Sequence, residues 1–468
     1  MAKTQPSASA LSWSVDTITV ETDTQIDYIK NDVKKTKRTL IFTFANLQDA
    51  QGAGLGYGGK FLLEQGYDII AFKTARNRNN WFQGISESAF EKIEQAITAS
   101  GRKYKVRAGY GSSMGGFGAL AFSRLLKMDI VVAISPQIDI TQDWDTRWGT
   151  YAKKIKFRYF INSDAISKGC KYYLVCDPYD PDYQHASRFQ ALAIKDNVTL
   201  IKLPYSGHPS GHFLSEIGRL KTMVVDLFSG KSPDLAGMRE GRRISAAYLS
   251  TLADVCVAKN KLRWATDLYK SAIALMPTAL AAARLHTQVS EIYTQLQQGE
   301  TARLHALEAV KIAPSDSRVV MFAADLLAEH NQIDQGLQII ENAIGMAEQP
   351  VGLHKRKVKY LEKSGKTAEA INHLQLMLLK FHDPAIHFNL SRIYLSQLAF
   401  EDARVHIEAA LSCGQDIRYL KHKIRIACDQ ECVEETTSLL KQMVDEFGDV
   451  EQQFVLQIEQ KIARYSKK

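Results

Sequence analysis

Residues 107–122 read RAGYGSSMGGFGALAF. The stretch just before, YKVRAGY (104–110), reads as a strand, and GGFGALAFSRLLK, which begins at Gly115, has helical spacing. A tight turn therefore joins strand to helix inside a run of glycines and serines. A serine at the apex of such a turn takes a strained backbone conformation, and its neighbours must be small. Its hydroxyl stands clear of the sheet, and the helix N-terminus beneath favours developing negative charge. The G-x-S-x-G frame selects between the two serines. Gly111-Ser112-Ser113-Met114-Gly115 centres on Ser113, whereas centring on Ser112 would need glycine at Tyr110 and Met114. Ser113 is the candidate nucleophile.

Outward from this turn, short apolar runs alternate with amphipathic stretches up to about residue 230. TLIFTF (39–44), YDIIAFK (67–73), DIVVAIS (129–135), KYYLVC (171–176) and VTLIKLP (198–204) read as further strands, several buried on both faces. Helical patterns such as SESAFEKIEQAITAS and YQHASRFQALAIK lie between them. Strand and helix in alternation predict an α/β class with a mostly parallel sheet flanked by helices.

The stretch GSSMGGFGAL resembles the nucleophile elbow of the α/β-hydrolase superfamily, especially esterases with an S-M-G-G-x-G-A-L core. The resemblance implies a serine hydrolase whose residues follow in the order Ser, acid, His, each after a strand. A lone serine is a poor nucleophile and needs a base within hydrogen-bond reach. After KYYLVC comes DPYDPDYQHA, with Asp177, Asp180 and Asp182; after VTLIKLP comes YSGHPSGHFL, with His208 and His212. His208 is the expected base and His212 the opener of the next helix. Asp182 reads as a helix cap, leaving Asp180, with Asp177 beside it, as the acid. The oxyanion is expected on the backbone N–H of Met114 and on a second from Ala45 or Asn46, after the strand TLIFTF. That loop reads FANLQDAQGAGLGYGG and lacks the HGGG signature, so the second donor departs from the family's pattern. Its Gly54, Gly56 and Gly59 satisfy G-x-G-x-x-G, but ten residues from the strand end and with no acidic residue at the proper distance. It is read as a loop beside the acyl site or a close approach to the sheet. KTARNRNNWFQG (73–84) gathers Arg76, Arg78, Asn79, Asn80 and Trp81 at a strand end. Trp81 and Asn80 are candidates for stacking on, and bonding to, a sugar or polar ester.

After FSGKSPDLAGMREGRR (228–243) the strand signal stops and a repeat begins. Ala265, Ala302, Gly336, Ala370 and Ala403 recur at intervals of 37, 34, 34 and 33 residues. Each falls in the second of two helical segments. Units such as Val289, Ser290, Tyr293, Ala302, Ala306, Ala309, Pro314 and Leu390, Ser391, Tyr394, Ala403, Ile407, Ala410 resemble the tetratricopeptide repeat. The small residues of that repeat let two helices approach closely. The third and fourth units are degenerate, the fourth with Lys357 and Val358 in place of the usual leucine and small residue. The expected organisation is an α/β-hydrolase-like domain over 1–232 and a linker over 233–243. About five tetratricopeptide-like repeats forming an all-α solenoid follow over 244–416, then a helical cap or degenerate repeat over 417–468.

Length and composition agree with a multidomain protein: 468 residues, 45% hydrophobic and 24% charged. The net charge of +8 is scattered in short runs, KKTKR (34–38) and KKIKFR (153–158), which read as solvated edges, so no nucleic-acid partner is expected. The six cysteines match no zinc spacing, and neither a metal nor another cofactor is expected. The N-terminus carries no signal-peptide pattern and no apolar run reaches a membrane-spanning length, which makes a cytoplasmic address the expectation. The expected function is a serine esterase, acyl hydrolase or O-acyltransferase acting on an ester or acylated substrate, a glycan among the candidates. The elbow also resembles that of accessory-secretion proteins that O-acetylate glycans. The repeats would dock a protein partner. Ser250, Asp254, Thr287 and Glu291 stand where chaperone-tail clamps carry lysine and asparagine, so a chaperone partner is not expected. The alternative is an inactive hydrolase-fold scaffold acting through its repeats.

Overall fold

Among the described residues eight strands form one sheet, opening with a hairpin for which the apolar pattern offers little signal: β1 (Trp13–Val20) and β2 (Thr24–Asn31). In a computed structural model, residues 12–21, 23–32, 37–47, 54–74, 80–276, 278–348, 350–414, 416–448 and 451–465 are described. Strand β1 is exposed or half-buried along its length, and β2 buries the polar Thr24, Asp27 and Asn31. Asp27 is satisfied there by an ion pair to Lys73 and a bond from Thr17 Oγ1 at 2.9 Å. The remaining strands are β3 (Thr39–Phe44), β4 (Asp68–Thr74), β5 (Val106–Ser112), β6 (Ile130–Ile134), β7 (Lys171–Cys176) and β8 (Val198–Lys202). These are the six apolar runs of the sequence.

The order is β1-β2-β4-β3-β5-β6-β7-β8; β1 and β2 pair antiparallel, as do β2 and β4, and all other pairs are parallel. The sheet is thus mixed. Alternate residues face opposite sides, as the two-residue period requires. Leu40, Phe42, Phe44, Ile70 and Phe72 join one core, whereas Ile41, Ile69, Ala71 and Val132 join the other. Helices cover both faces, which is why these strands read as unbroken apolar runs. The chain leaves β3 toward β4 on one side and returns to β5 on the other. That reversal makes a crevice at the carboxyl ends of β3 and β5, the usual ligand position in such sheets.

The chain divides into two compact units, Met1–Pro277 and Thr278–Lys468. The first unit therefore includes the helix pair Ala246–Ala258 and Leu262–Leu275, the first pair of the repeat pattern. Among its described residues the second unit is all helix: pairs Ala279–Gln295/Gly299–Ile312, Ser317–Glu329/Ile333–Ile344, Val351–Lys363/Thr367–Leu378, Pro384–Ser396/Phe400–Ser412 and Ile417–Asp429/Val433–Phe447, then Gln452–Tyr465. The recurring small residues sit where the helices of a pair touch. Ala302, Ala370 and Ala403 are fully buried, and a Cβ on Gly336 would lie 3.2 Å from the Ala324 carbonyl oxygen. Ser290 and Ser391 cross the same interface, donating to the carbonyls of Ala302 and Ala403 at 2.7 and 2.6 Å. Among the described residues no helix is long and apolar enough to cross a membrane.

Candidate active site

At the end of β5 the chain turns through Ser113, whose φ of 56° and ψ of −121° lie outside the regions ordinary residues occupy. Such a conformation costs on the order of 1–3 kcal/mol and persists only where the surroundings impose it. Two glycines make it possible by close approach. A Cβ on Gly111 would stand 2.1 Å from the Gly115 oxygen, and one on Gly115 would stand 2.3 Å from the Phe44 oxygen. The turn is pinned to β6 by Ser113 N–H donating to the Ile134 carbonyl at 2.8 Å. The helix Met114–Ala121 starts immediately after, and all eight of its residues are buried. Ser112 is buried as well, with its hydroxyl unpaired. Only Ser113 faces the histidine.

Ser113 Oγ lies 3.0 Å from His208 Nε2, and His208 Nδ1 lies 2.6 Å from Asp182 Oδ2. The acid beside the imidazole is therefore Asp182, in place of the expected Asp180 or Asp177. Asp182 opens the helix Asp182–Leu192 and is fully buried. Burial pushes its carboxyl up, but the bond from His208 and the charge of Arg147 more than offset this and hold it below the usual carboxylate range. Arg147 Nη2 donates to the second oxygen of Asp182 at 2.9 Å.

The two expected acids perform neighbouring tasks. Asp180 accepts from the Asp182 backbone N–H and from Arg147 Nη1, each at 2.9 Å. Burial, together with the adjacent Asp182 charge, pushes its carboxyl up to about 6. Asp177 accepts from the N–H groups of Tyr179 and Gly207, both at 3.0 Å, and so ties β7 to the histidine loop. Gly207 itself has φ 68°, and a Cβ there would lie 2.6 Å from Thr251 Oγ1 on the helix Ala246–Ala258. His212 is exposed on the helix Gly211–Glu216. Ligand atoms of Asp180, Asp182 and His208 all fall within 4.8 Å of one another, a spacing that would suit a metal ion. Arg147 stands among these carboxylates as their cation.

The other candidates divide. Met114 is the first residue of its helix and carries an N–H without an intrahelical acceptor. Ala45 is corrected: its N–H donates to the Phe72 carbonyl at 3.0 Å, extending the β3–β4 ladder, so it cannot also meet an oxyanion. Asn46 is the next residue and is half-buried. Trp81 is corrected too. It is 1% exposed and packs edge-on to Trp148 and Tyr151, at 5.7 and 5.5 Å between centroids, rather than offering a face to a sugar. The ring that reaches the site is Trp148, edge-on to His208 at 5.5 Å. Asn80 donates its side-chain amide to Asp23. Arg76, Arg78 and Asn79 lie outside the described residues. In the glycine-rich loop, a Cβ on Gly56 would stand 2.7 Å from the Ala71 Cβ, so the loop lies against the sheet.

Three residues had no sequence signal. Gln137, fully buried, places its amide nitrogen and oxygen 3.3 and 3.4 Å from Ser113 Oγ while donating to the Ser135 carbonyl. Arg147 and Trp148 lie on the short helical turn Thr146–Trp148, which no apolar pattern marks.

No family model matches this sequence, and no curated protein matches it. Solved structures do match in part. PilF of Pseudomonas aeruginosa is 15% identical, with a TM-score of 0.31, covering 45% of this chain and 95% of that one. PilW, a type IV pilus biogenesis factor, is 18% identical, with a TM-score of 0.34, covering 45% and 98%. Carboxyl esterase 2 from the fungus Tuber melanosporum is 12% identical, with a TM-score of 0.36, covering 49% and 88%. The chain itself joins a mixed α/β sheet to a run of recurring helix pairs.

Proposed function

We propose that the first unit is an α/β-hydrolase-type serine acyl hydrolase or acyltransferase in which Ser113, His208 and Asp182 form the catalytic triad. The observation that carries this reading is the hydrogen-bonded chain from Ser113 Oγ through His208 to Asp182, at 3.0 and 2.6 Å, on a serine held at φ 56°. Asp182 fixes the tautomer with the proton on Nδ1, leaving Nε2 to accept the serine proton as Oγ attacks an acyl carbon. The imidazolium that forms is stabilised by the buried carboxylate, and its proton then goes to the leaving oxygen. Water, or the hydroxyl of an acceptor such as a glycan, next attacks the acyl-enzyme with His208 again as base. The oxyanion falls to the Met114 N–H and to a second donor from the loop after β3, for which Asn46 is the candidate. No step calls for a cofactor. The helix pairs of the second unit supply a surface for a protein partner.

Labelling with a fluorophosphonate probe tests the reading. Wild type should form an adduct that Ser113→Ala abolishes, with circular dichroism unchanged. Absence of a Ser113-dependent adduct in a folded protein would leave the scaffold reading, in which the repeats alone act.

A further inference from the structure

Three of the helix pairs in the second unit carry two histidines set 19 residues apart and facing each other: His286 and His305, His354 and His373, His387 and His406. The facing nitrogens are 3.0 Å apart in every pair: Nδ1 to Nδ1 in the first and third, Nδ1 to Nε2 in the second. The same two positions elsewhere hold Val320 and Ile339, Leu420 and Leu439 and, in the first unit, Leu249 and Leu268, also 19 residues apart. An apolar pair therefore suffices for packing at this site. Histidine on both helices, three times over, needs another reason.

The geometry points to three binding sites for a late first-row divalent metal ion of the Ni²⁺ or Cu²⁺ type, each chelated by one histidine pair. Two nitrogens 3.0 Å apart subtend roughly 94° at a metal held about 2.05 Å from each. That is close to the cis angle of an octahedral or tetragonal ion and short of the tetrahedral angle zinc prefers. The metal would take the place of the proton that the two rings share: the donor ring moves its proton to the other nitrogen, and each ring tilts to bring its lone pair to the common point. No net charge leaves the pair. Among the described residues no carboxylate atom completes a three-ligand set here, so water fills the other positions.

Two further facts bear on affinity. Burial lowers the basicity of His286, His354, His387 and His406, and pushes His373 down to about 4, which favours the neutral form of these five rings. The outer pairs feel the negative charges of Glu308 and Asp402, whereas the middle pair feels Lys357 and Lys380 along with Glu341.

Titration of the full chain with NiCl₂ by calorimetry at pH 7.5 tests this. Wild type should take up three equivalents. His286→Val with His305→Ile, which installs the residues found at 320 and 339, should remove one equivalent, and His387→Val with His406→Ile another. Circular dichroism checks that each variant is folded. Uptake unchanged by both double variants would overturn the proposal and leave the pairs as hydrogen-bonded packing. Paramagnetic resonance of wild type with a substoichiometric amount of CuCl₂ gives a reading independent of any variant. Nitrogen splitting from two imidazoles per ion is expected, and a spectrum with one or none would equally overturn the assignment.

Discussion

Replacing Asp182 by asparagine isolates the acid of the triad. Each carboxylate oxygen accepts one strong bond, from His208 Nδ1 at 2.6 Å and from Arg147 Nη2 at 2.9 Å. An amide has a single oxygen, so one of these contacts becomes donor against donor. With the oxygen toward Arg147, the amide NH₂ faces Nδ1 and drives the ring proton to Nε2, where it cannot accept from Ser113. With the oxygen toward His208, the NH₂ meets the guanidinium and the imidazolium loses its counter-charge. Either way kcat should fall by about 10³–10⁴, a barrier increase of about 4–5.5 kcal/mol, with KM little changed. Asp180→Asn and Asp177→Asn alter groups that hold the loop without touching the imidazole, and each should cost about tenfold or less, up to 1.4 kcal/mol. The assay is steady-state turnover of p-nitrophenyl acetate, backed by the rate of fluorophosphonate labelling and by circular dichroism. The reasoning is refuted if Asp182→Asn stays within tenfold of wild type, or if Asp180→Asn loses as much.

The two serines should separate cleanly: Ser112→Ala removes an unpaired buried hydroxyl, so labelling persists and thermal stability holds or rises by about 1 kcal/mol. Gly207→Ala puts a methyl at φ 68° and within 2.6 Å of Thr251 Oγ1. It should lower kcat by displacing the histidine loop and cost about 1–3 kcal/mol in chemical denaturation; a variant with wild-type kcat would show that Thr251 does not fix that loop. Asp180 titrates near 3.8 when unfolded and at about 6 when folded, so between these values the folded chain binds the extra proton and stability falls as pH rises. In Asp180→Asn that decline, up to about 3 kcal/mol, should vanish from urea melts taken at pH 4 and pH 7; an unchanged slope would assign it to another group.

Six strands were legible because a strand buried on both faces needs an apolar side chain at nearly every position, and such runs are local. The serine was legible for a similar reason: steric demands at the turn fall on its immediate neighbours, Gly111 and Gly115. The hairpin β1–β2 was not, since its buried Asp27 is tolerable only because Lys73, on a strand distant in sequence, lies beside it. Trp81 read as a ligand platform because its burial depends on Trp148 and Tyr151, which arrive far along the chain.

What the sequence determined by itself was the alternation of elements, the frame of the elbow, the small-residue repeat and the supply of acids and histidines after the right strands. Tertiary structure decided which of them meet. Asp177, Asp180 and Asp182 lie within six residues after β7, so spacing along the chain cannot say which carboxylate turns toward His208. The helix that begins at residue 182 buries that carboxylate beside His208, and Arg147 neutralises the crowding. The Ala45 N–H is likewise withdrawn by the register of β3 on β4. A hydrogen bond is settled by direction within a fraction of an ångström, and direction belongs to the folded chain.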